Sequence, residues 1–343
     1  MKKNLTEVVR VRIVLFVFLC AGIVLGFMAA AEAESKPVIE LSYASFLPAG
    51  HLWFHSICKP WAEEVERRSN GRVKINMYPG GTLVSAKESY GAVKVGICDI
   101  ATGVFNYTPG QFPMMEAFDL PLGVKSSVVG TRVLNEVCNK FKPKELDDTK
   151  VLYLHVCSPK QVWSTIPLRN LQDLQGVEIR TSVPGIWKAL GAVPVAAPQG
   201  EVYEMLQKGI VKGNSVSLDC LRGFRQAEVV HYITLDYLYV SPFFVVMNKA
   251  KWQAFPEDIK QIFTDVSKEW VEVAGKVWDE DAFTSLGWAV MTAKLQVIQL
   301  PDEELAKWHK QVDPLVAQWV EKNEAEGLPA RKWVDEIRRL QSK

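Results

Sequence analysis

The sequence predicts an α/β fold spread over two lobes, and three observations carry that prediction. Stretches whose apolar residues alternate with period two are interleaved with stretches of helical period. An early run reads strand, helix, strand, the pattern of a parallel crossover unit. A helical pattern over residues 256–295 is longer than one small domain is wide, since ~35 residues at ~1.5 Å each extend ~50 Å. The 343 residues are 48% apolar, 23% charged and 10% aromatic, enough for two ordinary domains with a large core. Forty basic and 39 acidic residues leave no basic surplus of the kind a nucleic-acid contact face carries, so no nucleic-acid partner is expected.

The elements follow in order. Lys2, Lys3, Arg10 and Arg12 precede an apolar run from Ile13 to Ala31, and Ala31 and Ala33 are the small residues a signal peptidase reads. Residues 1–33 are therefore expected to be a signal peptide cleaved after Ala33, with an uncleaved membrane anchor as the alternative. Val11 separates the two arginines, so this is no twin-arginine signal; export is of an unfolded chain, and no cofactor is expected. Without the leader, 36 basic and 37 acidic residues remain. Five cysteines remain as well, Cys58, Cys98, Cys138, Cys157 and Cys220, with no C-x-x-C pair; they form at most two disulfides or stay as buried thiols.

Ile39, Leu41 and Tyr43 read as a first strand, Leu52 to Ser69 as a helix ending at Gly71, and Val73, Ile75 and Met77 as a second strand stopping at Pro79-Gly80-Gly81. Further strands are expected at 97–102, 151–157, 177–181, 193–196 and 239–248. In the long helix, Ile259, Ile262, Phe263, Val266, Trp270, Val273 and Val277 keep helical spacing, and Leu305, Trp308, Val312, Leu315 and Trp319 make a further amphipathic helix.

No catalytic constellation survives inspection. Ser56-Ile57-Cys58-Lys59 lacks the partner motifs of an S-x-x-K nucleophile, and Ser217 stands where a G-x-S-x-G elbow needs its second glycine. His51 and His55 have the spacing of two ligands on one helix face, but position 52 is leucine and no third ligand accompanies them; a surface or capping role is expected, and no metal. Arg180 stands apart. It closes a short strand at the carboxyl end, where open α/β sheets place ligands and where a guanidinium offers paired donors to a carboxylate; a surface ion pair is the other reading. Trp53, Trp163, Trp187 and Phe243 either line a pocket for an aromatic acid or belong to the core.

Residues 173–180 read D-L-Q-G-V-E-I-R, followed by L-G-A-V-P-V at 190–195 and E-V-Y-E-M-L-Q-K-G-I-V-K-G at 201–213. With Tyr78-Pro79-Gly80-Gly81-Thr82-Leu83, Phe118-Asp119-Leu120-Pro121 and Glu228-Val229-Val230, this pattern resembles the dicarboxylate-binding type of TRAP transporter solute-binding proteins over most of residues 38–320. The resemblance implies a two-lobed periplasmic-binding-protein fold with a hinge and a long bridging helix. It implies a first lobe of residues 34–156 plus about 241–260, a second of 157–240 plus the C-terminal helices at 300–343, and hinge crossings near Cys157 and Val240. It further implies a periplasmic, non-enzymatic receptor that binds a small organic acid anion and delivers it to TRAP membrane subunits, with a monomer as the default oligomeric state. A receptor feeding a sensor kinase and a secreted hydrolase are the competing classes.

By the same resemblance Arg180 holds the ligand carboxylate, and Lys160, twenty positions earlier, stands where a second arginine is common. Phe46, Thr102 and Tyr107 face the ligand from the first lobe, and Gln199 from the second. Val216 occupies the place of a carboxylate-contacting asparagine and cannot donate its hydrogen bond, which favours a smaller or more apolar acid.

Overall fold

Two β-sheets organise the computed structural model, which describes residues 37–342; the expected signal peptide lies outside the described residues. Along the chain come β1 (Ile39–Ser45), α1 (Lys59–Arg68), β2 (Val73–Tyr78), α2 (Ser89–Val95), β3 (Ile100–Val104), α3 (Ser127–Phe141), β4 (Thr149–Val156), β5 (Gln161–Ser164), β6 (Glu178–Arg180), α4 (Pro184–Ala189) and β7 (Val193–Val195). There follow α5 (Val202–Gln207), β8 (Gly213–Val216), α6 (Cys220–Gly223), β9 (Tyr232–Leu235), β10 (Pro242–Asn248), α7 (Lys249–Ala254), α8 (Glu257–Met291), β11 (Gln296–Gln299), α9 (Asp302–Val312), α10 (Pro314–Ala325) and α11 (Ala330–Gln341).

The first sheet has the order β2-β1-β3-β10-β4 and the second β11-β9-β5-β8-β6-β7. In the first, β10 lies antiparallel between β3 and β4, with Val245 opposite Thr102 on one side and Tyr153 on the other. All seven of its residues are buried, which explains the unbroken apolar run Pro-Phe-Phe-Val-Val-Met in place of alternation. In the second, β6 runs parallel to β7 and β8, with Arg180 beside Val195 and Asn214.

The expected helix at 52–69 is present in two parts: a π-helical turn at Phe54–Cys58 leads into α1, which has Pro at its start and buries Trp61, Ala62 and Val65. Helix α3 begins at Ser126, whose side chain accepts from the Val129 amide and so satisfies one of the free donors of the first turn. The long helix is α8, 35 residues from Glu257 to Met291. Its first half packs on the first lobe, where Phe263 meets Trp61 edge to face at 5.6 Å, and Ala289 near its end belongs to the second lobe's core with Leu221, Val230 and Ile233.

One expectation about the tail needs correction. Helix α9 packs on the second lobe, through Trp308 against Trp187, and Leu315 at the start of α10 still touches it. Trp319 in α10 and Trp333, Val334 and Ile337 in α11 sit in the core of the first lobe with Val133, Leu134 and Val137 of α3. The turn between α9 and α10, at Asp313-Pro314, is where the tail changes lobes; Pro314 cannot continue the hydrogen-bond ladder of α9. All five described cysteines are free thiols, four of them buried.

Candidate functional site

A narrow cleft of about 40 Å³ lies where the lobes face each other. Arg180, at the end of β6, is 2% exposed. Its Nε and Nη2 donate to the Ala197 carbonyl at 2.9 and 2.5 Å, and its Nη1 donates to Gln199 Oε1 at 2.7 Å and Asn214 Oδ1 at 3.4 Å. Every one of these acceptors is neutral, so the guanidinium is oriented without a salt bridge. Its Nε–Nη2 edge, one of the faces that can present paired donors, is held by a backbone carbonyl.

Lys160 is 3% exposed, with its ammonium 4.8 Å from the centre of the Tyr239 ring. Burial works against its charge, but Tyr239, Cys157 and Asp119 around it more than offset that and hold its pKa above the ordinary value. Asp119 is itself fully buried; burial raises its carboxyl to about 6, against the opposing pull of Lys160 and its hydrogen bonds to Ser241 and Asn106. Through Asn106 Nδ2 (2.8 Å) and the Ser241 hydroxyl, Asp119 ties the turn carrying Tyr107 to the strand crossing before β10.

The first lobe supplies Phe46, Leu47, His51, Trp53, Val104 and Tyr107 to the cleft. Phe46 follows β1 in a loop braced by the Gly80 and Gly81 amides, which donate to Leu47 O (2.7 Å) and Ser45 O (2.9 Å). Both glycines have φ near +70° (71° and 72°), a conformation other residues adopt only under strain, so Pro79-Gly80-Gly81 is a brace for this wall. Phe46 meets Trp53 at 5.9 Å and Tyr107 at 5.8 Å, both edge to face. The Tyr107 hydroxyl accepts from the Gln199 amide at 3.3 Å, a hydrogen bond between the lobes. Trp278 reaches the same wall from α8 and stacks on Phe243 at 5.8 Å and 9°.

Of the residues singled out in the sequence, Arg180, Lys160, Phe46, Tyr107, Gln199 and Val216 come together in this cleft. Thr102 does not: its hydroxyl donates to Phe244 O within the sheet at 3.2 Å, and Val104, at the strand's end, reaches the cleft in its place. Trp53 and Phe243 line the cleft, whereas Trp163 and Trp187 are core residues of the second lobe. His51, expected at a surface or cap, is 1% exposed in the wall, with its Nε2 2.9 Å from Asp219 Oδ2 of the other lobe. Asp219, Phe224 and Trp278 escaped sequence reasoning, because nothing in the chain's local pattern connects them to Arg180. His55, by contrast, is exposed.

A closed cleft between two α/β lobes, holding two buried cations and an aromatic wall, defines a solute receptor. The bacterial extracellular solute-binding protein family 7 (DctP) matches residues 43–323, and the chain belongs to that family. A TRAP periplasmic solute-binding protein of Desulfovibrio salexigens superposes with a TM-score of 0.78 at 35% identity, covering 88% of this chain and 95% of that one. A marine metagenome TRAP solute-binding protein from an unidentified microbe, specific for aromatic acids and complexed with 3-hydroxybenzoate, gives 0.85 at 27% identity, covering 89% and 98%. Among sequence relatives, the C4-dicarboxylate-binding periplasmic protein DctP of Rhodobacter capsulatus is 24% identical over 277 residues, 79% of this chain and 83% of its own length. These are binding proteins of tripartite carriers, and the chain is an extracytoplasmic receptor for a small organic acid.

Proposed function

We propose that this receptor closes on an aromatic monocarboxylate. The observation that carries the reading is a pair of buried cations, Lys160 and Arg180, neither of which is in a salt bridge with a carboxylate among the described residues, in a cleft walled by Phe46, Trp53, Tyr107, Phe224, Phe243 and Trp278. A buried charge without a counter-charge is costly, and an organic anion supplies it. Flat apolar side chains on both lobes favour a ring over an extended polar chain. Val216 keeps the wall beside Arg180 apolar, which agrees with an acid that has few polar substituents. The aromatic-acid complexes of the metagenome receptor support the same class.

In this reading Arg180 and Lys160 hold the carboxylate, Gln199 and Asn214 orient Arg180, and Phe46 and Tyr107 cover the ring. Thr102 supports the wall from behind. The lobes move about crossings near Cys157 and Val240, and contacts from both lobes exist only when they are closed, which is what lets the ligand shift the equilibrium. A dissociation constant near ~1 μM needs roughly −8 kcal/mol, within reach of one buried charge-assisted contact plus ring burial. The mature protein, cleaved after Ala33, works in the periplasm as a monomer that hands its ligand to TRAP membrane subunits.

A thermal-shift screen of the mature chain against benzoate, mandelate, succinate, pyroglutamate and neutral sugars tests this. Stabilisation by benzoate-type acids, lost in Arg180→Ala, is the expected result. Stabilisation by sugars alone overturns the site assignment, and by succinate alone the aromatic class.

A further inference from the structure

Resting on that aromatic-acid reading, the geometry points to His51 and Asp219 as a hydroxyl-reading pair, so that the ligand is a monocarboxylate carrying a hydroxyl group. His51 Nδ1 accepts from the Trp53 amide at 3.2 Å, which fixes the ring proton on Nε2. That Nε2 lies 2.9 Å from Asp219 Oδ2 yet lacks hydrogen-bond alignment to it, and Asp219 Oδ1 is buried with no partner. Both side chains are 1% exposed. The pair therefore offers a donor and an acceptor side by side in an otherwise aromatic wall. A hydroxyl is both donor and acceptor and satisfies the two at once, whereas an ammonium can only donate.

The pair is rigidly placed. A Cβ at Gly223 would lie 2.4 Å from His51 Cδ2, so the imidazole rests directly on that backbone, and Phe224 meets it edge to face at 5.0 Å. Charge agrees with a monoanion. The cleft lining carries two basic side chains, Lys160 and Arg180, and one carboxyl, Asp219. A second ligand carboxylate would face Asp219 and be repelled. Cys220 Sγ also lies within 4.8 Å of the His51 and Asp219 ligand atoms, but burial pushes its thiol far up and two cations share the cleft, which opposes a metal ion there.

Calorimetric titration of the full mature protein with matched acids tests the pair: 3- and 4-hydroxybenzoate against benzoate, with isophthalate as the dicarboxylate, each with and without EDTA. The expected result is a preference of tenfold or more for one hydroxybenzoate over benzoate, no binding of isophthalate, and no effect of chelation. In Asp219→Ala and His51→Phe that preference falls to within about twofold. Equal losses for both acids in these variants would mean that the pair merely latches the lobes and would overturn the proposal, as would equal wild-type affinities or loss of binding with EDTA. Binding of aliphatic acids alone overturns the aromatic reading itself, which separates its failure from that of the hydroxyl subsite.

Discussion

Lys160 and Arg180 are charges that the fold keeps nearly dry without a direct salt bridge, Lys160 feeling the buried Asp119 only at a distance. Truncating one member of a buried, hydrogen-bonded charge pair costs about 2–5 kcal/mol, so Arg180→Ala should weaken ligand binding by at least ~30-fold while leaving a cooperatively folded protein, read by calorimetry and by circular dichroism. Lys160→Met makes a sharper test. It removes a buried ammonium that lies over a ring face and forms no salt bridge, while the nearby Asp119 stays hydrogen-bonded to Asn106 and Ser241, so the ligand-free protein should still fold cooperatively while affinity drops by tenfold or more. A variant that binds normally would remove Lys160 from the site. Arg180 was singled out by its place at a strand's carboxyl end, but position alone left a surface ion pair open, and it was the family resemblance that pointed to a ligand. Thr102 was misplaced by the same logic, since the strand continues two residues to Val104 before it opens on the cleft. His51 and Asp219 were illegible: each is an ordinary polar residue until folding brings two distant loops within 2.9 Å.

At the scale of elements, α8 and α3 cross in close contact, and glycine permits it. A Cβ at Gly275 would stand 2.8 Å from Val128 Cα and 3.2 Å from its amide nitrogen, and backbone cannot yield as a side chain can. Gly275→Ala is therefore expected to destabilise by ~1–3 kcal/mol, whereas Gly287→Ala, with nothing within 4 Å, should stabilise by ~0.5–1 kcal/mol through helix propensity. Urea midpoints measure both, and equal effects would refute the close crossing. The length of α8 was readable from apolar spacing alone, because its buried positions Ile259, Phe263, Val266 and Trp270 keep one face of the helix. The lobe that α10 and α11 would join was not. Periodicity reports that a helix has an apolar face, and says nothing of which core receives it.

For the whole molecule, buried carboxyls make stability depend on pH in an unusual direction. Burial raises Asp236 to about 8 and Glu145 to about 7, far above the value near 4 of an unfolded chain. Across that interval the folded protein holds protons that the unfolded chain has released, so its stability declines as pH rises. His155, which burial lowers to about 3, acts oppositely, but only below its unfolded value near 6.5. Between pH 6.5 and 8 the carboxyls lead the fall, joined toward pH 8 by Cys58, Cys98 and Cys157, whose thiols burial also raises, to about 12. The urea midpoint should fall across that window, and Asp236→Asn, which keeps the neutral form at every pH, should flatten the fall; a variant curve parallel to wild type would exclude Asp236 as its source.

The first sheet needs β10 at its centre, and the first lobe's core needs Trp319 and Trp333 from the tail. The N-terminal part of the chain thus cannot complete its own lobe as it is synthesised: the strand that joins β3 to β4 and the aromatic rings that cover α3 are still to come. Long-range pairing of this kind delays folding, because loop closure precedes the contacts that reward it. A chain whose native state waits for its final helices remains threadable through a narrow translocation pore until nearly all of it has been made.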